Sequence, residues 1–179
     1  RVPLTKLAVT SCTHFEFLAV LNELQTVTGV CTPELIYNET ITAAYTQGKI
    51  TSLGDAFNTN VERLLMLKAD AVMPFNNEWT EQSLLGRAEW IKFVAAFYNK
   101  EAEAGQLFDA MAERYNAAKK VAQAVQQKPT ILAGGNFKGT WYMPGGQSYM
   151  GRLFVDAGAD YFYANDTTSG SLPLNFETV

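Results

Sequence analysis

Four short runs that read as strands, Lys6–Thr10, Val27–Cys31, Lys49–Leu53 and Ala71–Met73, alternate one by one with stretches whose apolar residues recur at helical spacing. Strands separated by helices do not pair as tight hairpins. Each returns to the sheet through a crossover, which gives parallel strands with helices on their faces. Such crossovers are almost always right-handed. The spacing predicts helices over Phe15–Asn22, Glu39–Gln47 and Val61–Lys68. Thr13, with Glu16 three residues later, reads as a capping box for the first of them, and Asn58 or Thr59 as the cap of the third.

A helical region follows. Glu81–Tyr98 carries Leu84, Ala88, Ile91, Ala95 and Tyr98 along one stripe, and Asn99 reads as a break. Lys100–Gln127 is then one long helix, about 40 Å at the usual rise, stopped by Lys128-Pro129. A second α/β segment comes next. It consists of a strand at Thr130–Ala133, an extended run at Gly139–Met143, a helix at Ser148–Ala157 and a short strand at Tyr161–Tyr163. A polar loop at Asp166–Pro173 and a helix beginning near Asn175 complete it. The expected fold class is α/β: two lobes with parallel sheets and flanking helices, joined by one long linker helix, the second lobe incomplete. The expected divisions are 1–99 for the first lobe, 100–127 for the linker and 128–179 for the start of the second. A stiff helical connector lets two lobes face each other with limited hinge motion.

Composition narrows the function. Lys and Arg total 14 against 18 Asp and Glu, with no basic run, which argues against nucleic acid as a partner. No apolar run is long enough to span a bilayer. The chain opens at Arg1-Val2-Pro3 without a signal peptide or initiator Met and reads as a processed or trimmed product, so its compartment is not legible. Cys12 and Cys31 lack metal-ligand spacing. Each closes a predicted strand, so a disulfide and two buried thiols both remain open. Gly134-Gly135-Asn136 and Gly145-Gly146 form neither a GxGxxG nor a Walker pattern and read as turns. GxSxG is absent, and no catalytic residue is nominated.

Ligands of open parallel sheets bind outside the carboxyl ends of the strands. Those ends carry Ser11–His14, Thr32–Tyr37, Asp55–Asn58 and Phe75–Trp79, and in the second lobe Asn136–Tyr142 and Asp166–Ser171. A large flat ligand wants aromatic walls with a few oriented polar groups. Trp79, Trp141 and Tyr142 are the candidate walls, against plain core packing. Lys138 is the candidate partner of an anionic group, against an exposed amine. Ser169 and Ser171 offer hydroxyls. His14, the sole histidine, and Thr13 beside it are candidate ligand contacts, against a locally bonded helix start. Tyr37 is a weaker candidate iron ligand.

Several segments in order carry a resemblance. They are Leu7-Ala8-Val9-Thr10-Ser11-Cys12-Thr13-His14, Gly48-Lys49-Ile50-Thr51-Ser52-Leu53-Gly54-Asp55 and Asn60-Val61-Glu62-Arg63-Leu64-Leu65-Met66-Leu67-Lys68-Ala69-Asp70-Ala71-Val72. Leu85-Gly86-Arg87-Ala88-Glu89-Trp90-Ile91-Lys92-Phe93 and Lys138-Gly139-Thr140-Trp141-Tyr142-Met143-Pro144-Gly145-Gly146 follow. Over nearly its whole length the chain resembles class III (cluster A) periplasmic binding proteins of ABC importers, in the branch that carries iron complexes. The resemblance implies a non-enzymatic, extracytoplasmic solute-binding protein, lipid-anchored at full length, with no intrinsic cofactor and no protein-bound metal. It would deliver an iron–siderophore, haem or cobalamin-type ligand to an ABC permease in the inner membrane. It also implies that Glu62 and Glu177, one per lobe, dock on arginines of that permease. Two departures stand out: relatives carry further sequence where Phe75 runs directly into Asn76, and further strands and helices where this chain stops at Val179. The rival readings are a chelatase-like α/β enzyme with its site at the strand carboxyl ends, and an interaction fragment without a ligand.

Overall fold

The computed structural model describes residues 2–74 and 81–178. The chain forms two compact units, one of residues 1–77 with Ile91–Gln106, the other of residues 78–90 with Leu107–Val179.

In the first unit, β1 (Leu7–Val9), β2 (Val27–Val30), β3 (Thr51–Ser52) and β4 (Ala71–Met73) form a parallel sheet in the order β3-β2-β1-β4. The intervening helices are α1 (Phe15–Val20), α2 (Glu39–Thr46) and α3 (Val61–Leu67). The sheet is therefore the parallel one that the alternating pattern predicts. Ala8, Cys31 and Leu53 form a buried cluster, against which Leu64 and Leu67 of α3 pack together with Ala56 and Ala69. Gly29 lets the helix come this close, because a Cβ there would lie 2.6 Å from a methyl of Leu67. Leu7 and Val9 alternate to the opposite face and are also buried. Each large apolar side chain buried in this way contributes about 2 kcal/mol.

Two helix starts differ from expectation. Thr13 does not cap α1. Instead Ser11 caps a 3-10 turn, Cys12–His14, that precedes it. The cap of α3 is Asn60, whose Oδ1 accepts from Arg63 N at 2.9 Å, rather than Asn58 or Thr59. Those two residues complete a tight turn in which Phe57 N donates to Asp55 Oδ1 at 2.8 Å, and this delays the helix. Both cysteines are free thiols, Cys31 buried at the end of β2 and Cys12 exposed in the 3-10 turn, so no disulfide joins them.

Helices α4 (Leu84–Ala96) and α5 (Glu101–Gln123) follow, separated by Asn99 at a φ of 56°. The break falls where expected, but α5 ends before Gln127. The residues of α4 and α5 that belong to the first unit are tied into it. Tyr98 and Thr26 share a buried hydroxyl–hydroxyl bond of 3.0 Å, and Lys100 pairs with Glu23 at 2.9 Å.

The second unit departs from the parallel sheet expected there. Its strands β5 (Gly135–Phe137), β6 (Thr140–Pro144) and β7 (Ser171–Asn175) are antiparallel, in the order β5-β6-β7, with α6 (Tyr149–Asp156) between β6 and β7. The reason lies in the β5–β6 connection. Lys138 and Gly139 adopt φ of 53° and 84°, the two-residue mirror-image turn that makes a hairpin, and a hairpin can only be antiparallel. Among the described residues, Thr130–Ala133 makes a single parallel bridge, Thr130 to Asp160. Tyr161–Tyr163 is a turn, not a strand, closed by Ala164 N to Tyr161 O and Asp166 N to Tyr163 O, both 2.9 Å. The last three residues of the expected loop Asp166–Pro173, from Ser171 on, belong instead to β7. The helix expected near Asn175 is a single 3-10 turn, Phe176–Thr178.

Candidate functional site

The strand order of the first unit fixes where a ligand surface belongs. The chain builds from β1 through β2 to β3, then crosses back to place β4 on the other side of β1. In open parallel sheets such a reversal marks the ligand side outside the carboxyl ends of the two strands that flank it, here β1 and β4. Thr10 follows β1 at that end, its N donating to Met73 O at 3.1 Å. Ser11 and Thr13 come next, their hydroxyls 2.9 Å apart. Thr13 is exposed, whereas His14 is completely buried and sits beneath the turn. Farther along the same carboxyl edge, Tyr37 after β2 and Phe57 after β3 are each 89% exposed. Trp79 lies outside the described residues. Glu62 is exposed in the first turn of α3, the helix that leaves this edge after β3.

In the second unit the nominated residues are spread along one hairpin. Lys138 is exposed at its tip, with Nζ 5.2 Å from the Phe137 ring centroid. Trp141 and Tyr142 are neighbours on β6 and so point to opposite faces. Trp141 is held from behind, its Nε1 donating to Ala133 O at 2.9 Å and its ring 6.2 Å from that of Phe176. Tyr142 is 41% exposed. Ser171 pairs with Pro144, whereas Thr140 beside the tip pairs with Asn175. Lys138 and Ser171 therefore lie at opposite ends of β6, about 14 Å apart along the strand. Ser169, in the loop just before β7, shares the Ser171 end. Glu177 is exposed in the closing 3-10 turn.

The loop from β6 into α6 is packed without slack. A Cβ on Gly145 would come within 2.3 Å of Thr168 O, one on Gly146 within 2.3 Å of Tyr163 O, and one on Gly151 within 2.2 Å of Gly145 O. Ser148 caps α6, accepting from Gly151 N at 3.0 Å. Asp166 accepts from Thr168 N at 2.8 Å, and this backbone bond holds its carboxyl below the usual carboxylate range.

Beside this loop is a polar cavity of about 500 Å³, bounded by the start of α4, the middle of α5 and α6. Lys119 Nζ meets Asp156 Oδ1 at 2.7 Å, and the Tyr115 hydroxyl donates to the other oxygen of that carboxylate. Burial, that hydrogen bond and the carboxylate charge push the Tyr115 hydroxyl well above the usual tyrosine range. Arg152 donates through Nη2 to the side-chain oxygens of Gln147 and Gln82. Among the described residues, no three His, Cys, Asp or Glu side chains gather as a metal cage.

Comparison with known proteins interprets this geometry. Residues 72–179 match the family model described as periplasmic binding protein. This chain belongs to the periplasmic binding protein family. That family is a non-enzymatic component of transport. An uncharacterised lipoprotein of Methanocaldococcus jannaschii is 25% identical over 208 residues, covering 99% of this chain and 50% of its own length. A second uncharacterised protein of that organism is 24% identical, covering 68% of this chain and 43% of its own length. The chain thus spans about half the length of these relatives. The first alignment is longer than the 179-residue chain, so that relative carries internal residues absent here. Among solved structures, a possible iron-binding periplasmic solute-binding protein of Staphylococcus epidermidis superposes with a TM-score of 0.75 at 15% identity, covering 98% of this chain and 73% of its own. An Fe3+-hydroxamate transport protein of Saccharomonospora viridis gives 0.66 at 16%, covering 99% and 71%. A haem-complexed protein of S. aureus gives 0.66 at 17%, covering 96% and 69%. These likenesses establish the fold.

Two features of this periplasmic binding protein were not legible from its sequence as site residues. Phe57 gave no signal beyond lying after a strand. Tyr115, Lys119, Arg152 and Asp156 belong to no motif. The four-residue spacings of Tyr115 and Lys119 on α5 and of Arg152 and Asp156 on α6 hint that each pair shares a helix face.

Proposed function

We propose that this chain works as the ligand-binding part of an extracytoplasmic solute-binding protein that delivers a chelated-iron, haem or cobalamin-type ligand to an ABC import permease. The observation that carries the reading is the reversal of strand order beside β1. Exposed Thr13 and the largely exposed rings of Tyr37 and Phe57, all on the same carboxyl edge of the sheet, support a ligand surface there. Aromatic faces with a few hydroxyls suit a large, flat, partly polar ligand. Proteins sharing the fold that are described as an iron-hydroxamate transport system and as haem-complexed support the same class. In this reading Thr13 contacts the ligand directly and buried His14 supports the turn from below. In the second unit Lys138 meets an anionic group, while Tyr142, Ser169 and Ser171 supply an aromatic face and hydroxyls, and Trp141 is half-packed behind them. Trp79 remains a proposed wall. Glu62 and Glu177 are the proposed permease contacts, and the lipoprotein name of the archaeal relative supports a lipid-anchored location.

Native mass spectrometry of the chain with a ferric hydroxamate, haem and cyanocobalamin, followed by visible absorption of any complex, tests the cargo. One-to-one binding of one of the three, weakened by Tyr37→Ala or Phe57→Ala, supports the reading. Binding of none overturns it. For docking, Glu62→Arg is expected to leave ligand affinity unchanged while abolishing ligand-stimulated ATPase activity of the reconstituted permease.

A further inference from the structure

We propose that the cavity bounded by α4, α5 and α6 in the second unit binds a small monocarboxylate that also carries hydroxyl groups, independently of the proposed transport cargo. Arg152 makes the first half of the case. Its Nη2 is fixed by two amide oxygens, from Gln147 and Gln82, so the guanidinium is oriented. Its Nε is buried and has no hydrogen-bond partner among the described residues. That Nε is closed off from the cavity, so a ligand would meet the guanidinium at its Nη groups, and a carboxylate oxygen is the acceptor that answers a guanidinium N–H best. Charge makes the second half. The cavity is lined by two cations, Lys119 and Arg152, and one carboxylate, Asp156. Asp156 is already engaged by Lys119 at 2.7 Å and by the Tyr115 hydroxyl. One positive charge remains, which matches one negative charge on the ligand. The space of about 500 Å³ is far larger than a carboxylate group and lies in the range of small-molecule sites. Ser83, Asn116 and Gln147 in its wall suit hydroxyls on the remainder of the ligand.

Gluconate is the probe, titrated calorimetrically into the chain, with propionate as the carboxylate without hydroxyls and sorbitol as the hydroxyls without a carboxylate. Gluconate is expected to bind one-to-one, propionate about tenfold more weakly, and sorbitol not at all. Arg152→Gln is expected to weaken gluconate at least about tenfold. Asn116→Asp, an isosteric change at an exposed position of α5, places a second carboxylate in the wall and should weaken gluconate similarly even if Arg152→Gln folds poorly. Equal binding of sorbitol and gluconate, no binding of gluconate, or unchanged gluconate affinity in a folded Asn116→Asp chain would each overturn the proposal.

Discussion

Asp70 shows how much a single exposed carboxylate organises at the start of this sheet. It accepts from Thr5 N and Thr5 Oγ1, each at 2.8 Å, and from Lys6 N at 3.0 Å, so the residues entering β1 are fastened to the residue preceding β4. These bonds, the one from the Thr5 backbone foremost, lower its pKa from the ordinary 3.8 to about 2. A carboxyl held below its unfolded value favours the folded state once ionised. Its contribution is therefore complete above the unfolded pKa and fades as pH falls toward the folded one. Asp70→Asn is expected to lower the melting temperature at neutral pH and to leave a smaller acid-induced decline between pH 4 and pH 2. Matched thermal melts of both chains across that window check it, and parallel curves would refute it. Exchange of the Thr5 and Lys6 amides should also quicken in the variant.

The hairpin tip between β5 and β6 carries a different tension. Lys138 occupies a left-handed position, φ 53°, that asparagine adopts far more readily than lysine. Lys138→Asn is therefore expected to stabilise the chain by about 0.5 kcal/mol, read as a raised urea midpoint. If Lys138 meets an anionic group of the cargo, the same change weakens cargo binding, and a gain in both properties would exclude that role. The contrast between the two sheets explains what the sequence made legible. In the first unit β1 and β2 are buried and read as short apolar runs, and all four strands alternate with helices, so the pattern of elements was visible. In the second unit the strands are short and interrupted. Gly135 and Asn136 made β5 read as loop, and Pro173 hid β7. A proline is tolerated on a strand paired on one side only, and β7 pairs with β6 alone among the described strands. The alternation of half-buried Leu172 and Leu174 with exposed Ser171 and Asn175 was the available signal. The site divides in the same way. Thr13 and His14 could be placed at a strand end from order alone, but only coordinates reveal that one is exposed and the other buried. Arg152 and Asp156 are brought to Lys119 and Tyr115 by packing within the unit, a relation without any fixed spacing along the chain.

At the scale of the molecule, ligand binding and stability are linked. A ligand that binds only the folded chain, supplied at about a hundred times its Kd, adds about 2.7 kcal/mol to the unfolding free energy. The ferric hydroxamate, haem or cobalamin that proves to be the cargo should therefore raise the melting temperature by several degrees. Gluconate, acting through a separate site, should raise it further when both are present. A cargo effect unchanged by Tyr37→Ala and Phe57→Ala would place its site away from the carboxyl edge of the first sheet.

The loop leading into α6 has a consequence for how this protein can change over time. At positions 145, 146 and 151 a single added methyl would meet backbone carbonyls at 2.2 to 2.3 Å, and no rotamer can relieve a clash with main chain. In a saturation library sorted for folded protein, those three columns should return only synonymous codons. Met150, 41% exposed between them, should accept much of the alphabet. Variation along this segment is thus confined to the outward-facing side chains, while the path of the main chain is inherited almost unaltered.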